Sequence, residues 1–241
     1  PVIFQPLKIV AFFGNFPPFS AFKGYKIRKK AMLIKEANKI TGKLSTPSKM
    51  PGFTYNLPAK ECKKGRLLRE VPGSVCFGCY AMKGRYLWPN TIKAMSRRLG
   101  ALSHSQWVEA MSVLINRRND QGHAYFRWHD SGDLQSVNHL RQIVKVCKLT
   151  PKVKHWLPTR EYKLVRDYLG EIPSNLVIRL SGHMINGKAP ELDYLTSTVT
   201  NLHNPGLYIQ YLCPAPEQDG ECKSCRMCWD AKIRNITYIK H

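Results

Sequence analysis

Seven of the eight cysteines fall into two groups. Cys62, Cys76 and Cys79 form C-x13-C-x2-C, and Cys213, Cys222, Cys225 and Cys228 form C-x8-C-x2-C-x2-C. Thiolates two residues apart can converge on one centre, and four of them saturate a zinc ion or an iron–sulfur cluster. Pro214 follows Cys213, as in ferredoxin ligand runs. The first group supplies only three thiolates, so a metal there takes another ligand or keeps a position open to solvent or substrate, the condition for chemistry. One or two [4Fe-4S] clusters are the expected cofactors, with structural zinc as the alternative. A disulfide scaffold is the competing use of so many cysteines. Against it stand 241 residues, no apolar leader and no run of about 18 apolar residues, which fit a reducing cytoplasm and no membrane partner. Cys147 continues Val137, Leu140, Ile143 and Val144 at helical spacing, as a small buried apolar residue.

Charge narrows the partner. The chain carries 38 Lys and Arg against 16 Asp and Glu, a formal net charge of +22. Such an excess calls for a polyanion, and nucleic acid, DNA or RNA, is the expected one. The cations concentrate in Lys23–Lys30, with Lys26, Arg28, Lys29 and Lys30, and in Lys60–Arg69, with Lys63, Lys64 and Arg66. Phe19, Phe22, Tyr25, Phe53, Tyr55, Tyr80, Arg85, Tyr86 and Trp88 interleave aromatics with charge, a pattern suited to neutralising phosphate and stacking bases of single-stranded or distorted substrate.

The elements that must position these groups read as α/β. Residues 1–60 form a basic N-terminal segment packed on the core, with an apolar strand at Val2–Phe13, a break at Gly14–Pro18 and a helix at about 29–41; residues 61–241 form the α/β core with both cysteine groups. Residues 43–60, with three prolines and a glycine, read as an extended segment laid over a surface and used for binding. Helices follow at about 89–100 and 104–118, the second with Trp107, Met111, Leu114 and Ile115 on one face. Short apolar runs at Tyr125–His129, Lys154–Pro158, Leu176–Leu180 and Leu207–Leu212 read as strands. A helix N-capped by Asp133 and ending at Thr150 lies between the first two, and one at about 160–169 between the next two. The alternation predicts a parallel sheet in a partial or irregular βα barrel with cysteine-rich metal-binding segments, an open doubly wound sheet being the alternative.

Function in such folds gathers at the carboxyl ends of the strands. His129, Asp130 and Asp133 follow the first strand, Arg160 the second and His183 the third. His129, Asp130 and Asp133 have the chemistry to ligate a metal or act as acid and base, and Arg160 and Arg179 to hold a phosphate or carboxylate. The bland readings are a helix cap for Asp133, a turn for Asp130 and a buried ion pair for Arg179.

The strings KLSTPSKMPGFTYNLPAKEC, VCFGCYAMKGRY, FRWHDSGDLQS, WLPTREY and CPAPEQDGECKSCRMCW, in this order, resemble the gene product 88 family of bacteriophage proteins over about residues 43–241. That resemblance implies a phage or prophage origin and a bacterial cytoplasm, without implying a reaction. Cys62, Cys76 and Cys79, followed by Tyr80, also resemble the three-cysteine [4Fe-4S] site of radical S-adenosylmethionine enzymes, although thirteen residues separate the first pair. This second resemblance implies a partial barrel, S-adenosylmethionine at the open iron and an auxiliary cluster on Cys213–Cys228.

Three functions follow as expectations. The first is an enzyme acting on nucleic acid through a cluster or metal near His129, Asp130 and Asp133; the second is a nucleic-acid-binding module with purely structural metal; the third is a radical S-adenosylmethionine-like enzyme. A phage or host protein as partner leaves no trace in the residues.

Overall fold

The computed structural model describes residues 31–201 and 211–240. The expectations for residues 1–30, including the Val2–Phe13 strand and the cations Lys26, Arg28, Lys29 and Lys30, lie outside the described residues, as do 207–210 of the last expected strand. The described residues from Met32 onward form one compact unit.

Six strands make one sheet: β1 (Phe53–Tyr55), β2 (Tyr125–Trp128), β3 (Lys154–Thr159), β4 (Leu176–Ile185), β5 (Leu195–Thr200) and β6 (Asn235–Ile239). They lie in chain order, each pair parallel, and β1 and β6 do not pair, so the sheet is open. A doubly wound sheet reverses direction at a switch point within its strand order, and the order β1 to β6 contains none. Right-handed crossovers that all step the same way stack on one face. That face holds the main core. Phe126, Trp128, Leu157, Ile178 and Leu180 pack there on α4 (Trp107–Asn119) and α5 (Val137–Leu149) through Trp107, Met111, Ile115, Leu140, Ile143 and Cys147.

The other face is covered differently. Trp156, Val177 and Ile236 pack on Cys228, Trp229 and Ile233 of the C-terminal cysteine segment. Topology explains why this segment is there. Leu212 bridges in parallel to Thr237, with Thr237 N donating to Tyr211 O and Cys213 N to Thr237 O, both at 2.8 Å, beyond the edge of β6 that faces away from β5. The chain must then step back one strand to enter β6, and a right-handed return in that direction crosses the opposite face.

The remaining helices are α1 (Ile34–Thr41), α2 (Lys63–Leu68), α3 (Pro89–Ala101) and α6 (Tyr162–Arg166). Three expectations need correction. Residues 43–60 are not merely a surface strap: all three residues of β1 are buried and Leu57 is completely so. Asp133 does not cap α5; Ser136 does, its Oγ accepting from His139 N at 3.0 Å. β5 and β6 fall where no strand was expected. Cys147 is fully buried in the core, as its spacing predicts. All eight cysteines are free thiols, and among the described residues no helix is long and apolar enough to cross a membrane.

Candidate functional site

The loops leaving β1 and β2 are fastened together. Leu57 N donates to Ser131 O and Ser131 Oγ to Leu57 O, both at 2.9 Å. Gly132, at φ 80°, makes this possible, because a Cβ there would meet Leu57 Cβ at 2.6 Å. The chain then enters the three-cysteine loop. Lys64 N, at the start of α2, donates to Glu161 Oε1 at 2.7 Å and so ties the Cys62 end to the end of β3. Val75 N donates to His183 O and Ile185 N to Gly73 O, both at 2.9 Å, which ties the Cys76 end to β4.

Between these anchors Cys62 and Cys76 both approach Gly65. An atom added as Cβ at Gly65 would lie 3.0 Å from Cys62 Cβ, 3.6 Å from Cys76 Sγ and 3.7 Å from Cys62 Sγ, so the glycine keeps a space between the two. Burial raises the Cys62 thiol pKa, reinforced by Asp133, Cys79 and Cys76. Burial also raises that of Cys76, partly offset by the Arg160 guanidinium. Asp133, Arg160 and the three cysteines thus share one neighbourhood. His183 belongs to it as well: its ring stacks on Tyr162 at 4.6 Å, and burial first, then Lys64, lowers its pKa. Tyr162, Gly182, His183, Met184, Gly187, Lys188 and Pro190 line a cavity of about 220 Å³ beside it. Arg160 Nε reaches Gly182 O at 3.3 Å.

The expected acid–base residues are arranged otherwise than strand-end logic predicts. His129 takes a left-handed conformation, φ 58°, that turns its ring towards His139 of α5, 5.2 Å away, between the sheet and the helix. Both its ring nitrogens are buried without a hydrogen-bond partner, and burial and His139 hold its pKa well below the usual range. Asp130 accepts from Thr54 Oγ1 at 2.6 Å, Tyr86 Oη at 3.1 Å and Asn56 Nδ2 at 3.4 Å, while Tyr80 Oη donates to its carbonyl. Arg98 of α3 holds Asn56 Oδ1 in turn. Asp133 accepts from Thr159 Oγ1 at 2.6 Å, Leu134 N at 2.7 Å and Arg160 N at 2.9 Å, and burial lifts its pKa to about 6 despite them. Both carboxylates are occupied by structural donors. Glu161 follows Arg160 among the polar residues expected at a strand end, whereas Tyr162, Asn56 and Arg98 were not among the residues that sequence singled out, and no local signal marks them.

The second group surrounds its own space. Cys213, Cys222, Cys225 and Cys228, with Pro214, Ala215, Met227 and Trp229, line a cavity of about 20 Å³ on the face opposite the helices. Burial lifts Cys228 to about 12, and Cys228 Sγ lies 3.2 Å from Tyr238 Oη. Arg179 is fully buried beneath this loop. It neither pairs with an acid nor waits for a phosphate: its guanidinium donates to the carbonyls of Asp230 at 2.7 Å, Ile233 at 2.9 Å, Cys228 at 3.2 Å, Met227 at 3.3 Å and Thr196 at 3.4 Å. Arg127 lies 4.6 Å over the Trp156 ring, with its Nε buried and unpartnered. Among the described residues the four ion pairs all leave at least one partner largely exposed and involve neither arginine. No set of three or more His, Cys, Asp or Glu among the described residues is already arranged to hold a metal ion.

Of the expected nucleic-acid contacts, Lys63, Arg66 and Arg85 are exposed, Lys64 is half-buried, and Tyr86 commits its hydroxyl to Asp130. A family model described as gene product 88 matches residues 26–231. Neither the curated proteins nor the solved structures contain a match to the chain. With the greater part of its length covered by that model, the chain belongs to the gene product 88 family of bacteriophage proteins.

Proposed function

We propose that this protein is an iron–sulfur enzyme of the host-cell cytoplasm that acts on nucleic acid from an open, three-thiolate centre on Cys62, Cys76 and Cys79. One observation carries the reading. The three-cysteine loop leaves the carboxyl end of β1, the first strand of a sheet wound in one direction, and is anchored to the ends of β3 and β4. A singly wound six-strand sheet has the strand order of a partial βα barrel, the arrangement that the likeness to radical S-adenosylmethionine enzymes implies. Gly65 keeps a side chain from crowding Cys62 and Cys76, and Cys79 would be the third ligand of a group held between them. A cluster there would supply one-electron chemistry and one iron site for an outside ligand. S-adenosylmethionine is the candidate ligand.

The chain's own residues would do the rest. Arg160, beside Cys76, offers a cation for a carboxylate or phosphate, and the Tyr162–His183 stack forms one wall of the neighbouring cavity. Asp130 and Asp133 position the loops and do not touch the reacting atoms. The four-cysteine group, under Trp229 and with no spare position, suits a closed structural or electron-relay centre, and zinc is its alternative occupant. Loading either group requires its thiols to turn towards a common point.

Anaerobic purification followed by iron, sulfide and zinc analysis tests this. Expected are iron with acid-labile sulfide, loss of part of the iron in Cys76→Ser, and release of methionine and 5′-deoxyadenosine from S-adenosylmethionine by the reduced protein. Stoichiometric zinc at both groups, without sulfide, would overturn the enzyme and leave a binding module with structural metal.

A further inference from the structure

Residues 60–93, which wrap the three-cysteine group, carry a surface that the fold itself does not use. Phe77 and Trp88 are each 59% exposed and Tyr80 is 56% exposed, although the Tyr80 hydroxyl is pinned to Asp130 O. Leu67, Leu87 and Ile92 of the same stretch are exposed too. A ring left this open loses most of the apolar burial that would otherwise explain it, and three such rings fall between positions 77 and 88. The same stretch holds Lys60, Lys63, Lys64, Arg66, Arg69, Lys83, Arg85 and Lys93 against only Glu61 and Glu70. The Arg85 guanidinium stands 5.7 Å over the Trp88 ring, so cation and ring are presented together. Phe77 falls between Cys76 and Cys79 in the chain.

We infer that this loop is a docking surface for single-stranded nucleic acid, with unpaired bases stacking on Phe77 and Trp88 and their phosphates running along Lys63, Arg66, Lys83 and Arg85. The inference rests on the proposed function for its purpose, since it brings a strand to the lip of the three-thiolate centre, but the binding itself requires no metal. Duplex fits the surface poorly, because its bases are already stacked and show these rings only phosphate. An acidic protein would match the charge but leave the rings without flat partners. An anionic membrane would need the rings along one side of an amphipathic helix; they stand instead on a loop and on short turns between Cys76 and Pro89.

Fluorescence anisotropy with a labelled single-stranded oligonucleotide, the duplex of the same length, and anionic phospholipid vesicles tests it. The single strand should bind at least ~10-fold more tightly than the duplex, and Phe77→Ala and Trp88→Ala should each weaken it by ~5-fold or more without changing the salt slope. Lys83→Ala with Arg85→Ala should instead lower the log–log salt slope by roughly 0.7 for each phosphate no longer neutralised. Equal affinity for single strand and duplex, no effect of either aromatic change, or binding to vesicles alone would overturn the inference. Measuring the metal-free protein and Cys76→Ser in parallel separates the two claims. Binding without metal leaves this surface standing whatever the cofactor is, and a loaded cluster without binding removes the surface alone.

Discussion

Replacing Arg179 by Met tests whether the C-terminal cysteine loop is held to the sheet by one guanidinium. The methionine keeps the apolar stem and removes only the donors. Of the five carbonyls it leaves, those of Asp230 and Ile233, at 2.7 and 2.9 Å, are the well-formed bonds, and the three at 3.2–3.4 Å count for less. Hydrogen bonds to a charged group contribute about 1.5–3 kcal/mol each, so the two short ones set the scale at roughly 3–6 kcal/mol. Two effects pull this down. Asp230 is exposed, so water can reach its freed carbonyl, and the variant no longer buries a cation without an acidic partner. A net loss of about 3 kcal/mol is expected, a large share of the roughly 5–15 kcal/mol that holds a domain together. Urea unfolding of the metal-free protein measures the total, and amide exchange locates it: residues 213–234 should lose protection while β2–β4 keep theirs. Arg179→Lys should recover less than half, because one ammonium cannot reach a fan of five carbonyls. A loss under about 1 kcal/mol, or protection lost evenly over the sheet, would refute the guanidinium as the fastening.

Two further outcomes follow from burial and space. His139 and His155 are buried and held at about 3, while the unfolded chain takes up protons near 6.5; stability is therefore complete above about 6.5 and drains away as pH falls, by about 1.4 kcal/mol per unit for each histidine, or about 4 kcal/mol for the pair at pH 5. An unfolding midpoint that stays level from pH 7 to pH 5 would contradict it. Gly65→Ala, which on a helix such as α2 would ordinarily stabilise by about 0.5–1 kcal/mol, should instead exclude metal from the Cys62–Cys76–Cys79 group and spare the C-terminal one; undiminished metal at both groups would show that the space between the thiols is not used.

How far the residues announced this fold depends on how local each signal was. α5 was legible because Leu140, Ile143, Val144 and Cys147 repeat at helical spacing, and β2 to β4 because each apolar run is bounded by turn residues. β1 was hidden: three residues between Gly52 and Pro58 have no period of their own and are buried only through distant partners. β5, Leu-Thr-Ser-Thr-Val-Thr, was hidden by its hydroxyls, which pair across the sheet as in Ser197 with Ser181 and Thr198 with Thr237. The cysteine grouping was visible in spacing alone. The partners of Asp130 and Asp133 were not, since Thr54, Tyr86 and Thr159 reach them from remote segments, and the orientation of His129 depends on a backbone angle no neighbour announces. Arg179 was misread because a carbonyl, unlike an acid, leaves no mark in a sequence.

The return of the chain from Cys213 to β6 has a consequence for how tightly a metal can be held. Both ends of that loop are stitched to the sheet, Cys213 N to Thr237 O on the outer edge of β6 and Arg234 O to Thr196 N of β5, so the sheet rather than the metal closes a loop of about twenty residues. In a zinc finger, metal binding and chain ordering are one event, and affinity is diminished by the ordering. Here the sheet already holds the ends of the loop when the ion or cluster arrives, and what binding must still order is the turning of the four thiols towards a common point. Stripping the metal should accordingly leave a folded protein that can be reloaded, with side-chain rearrangement of the cysteines but no refolding phase.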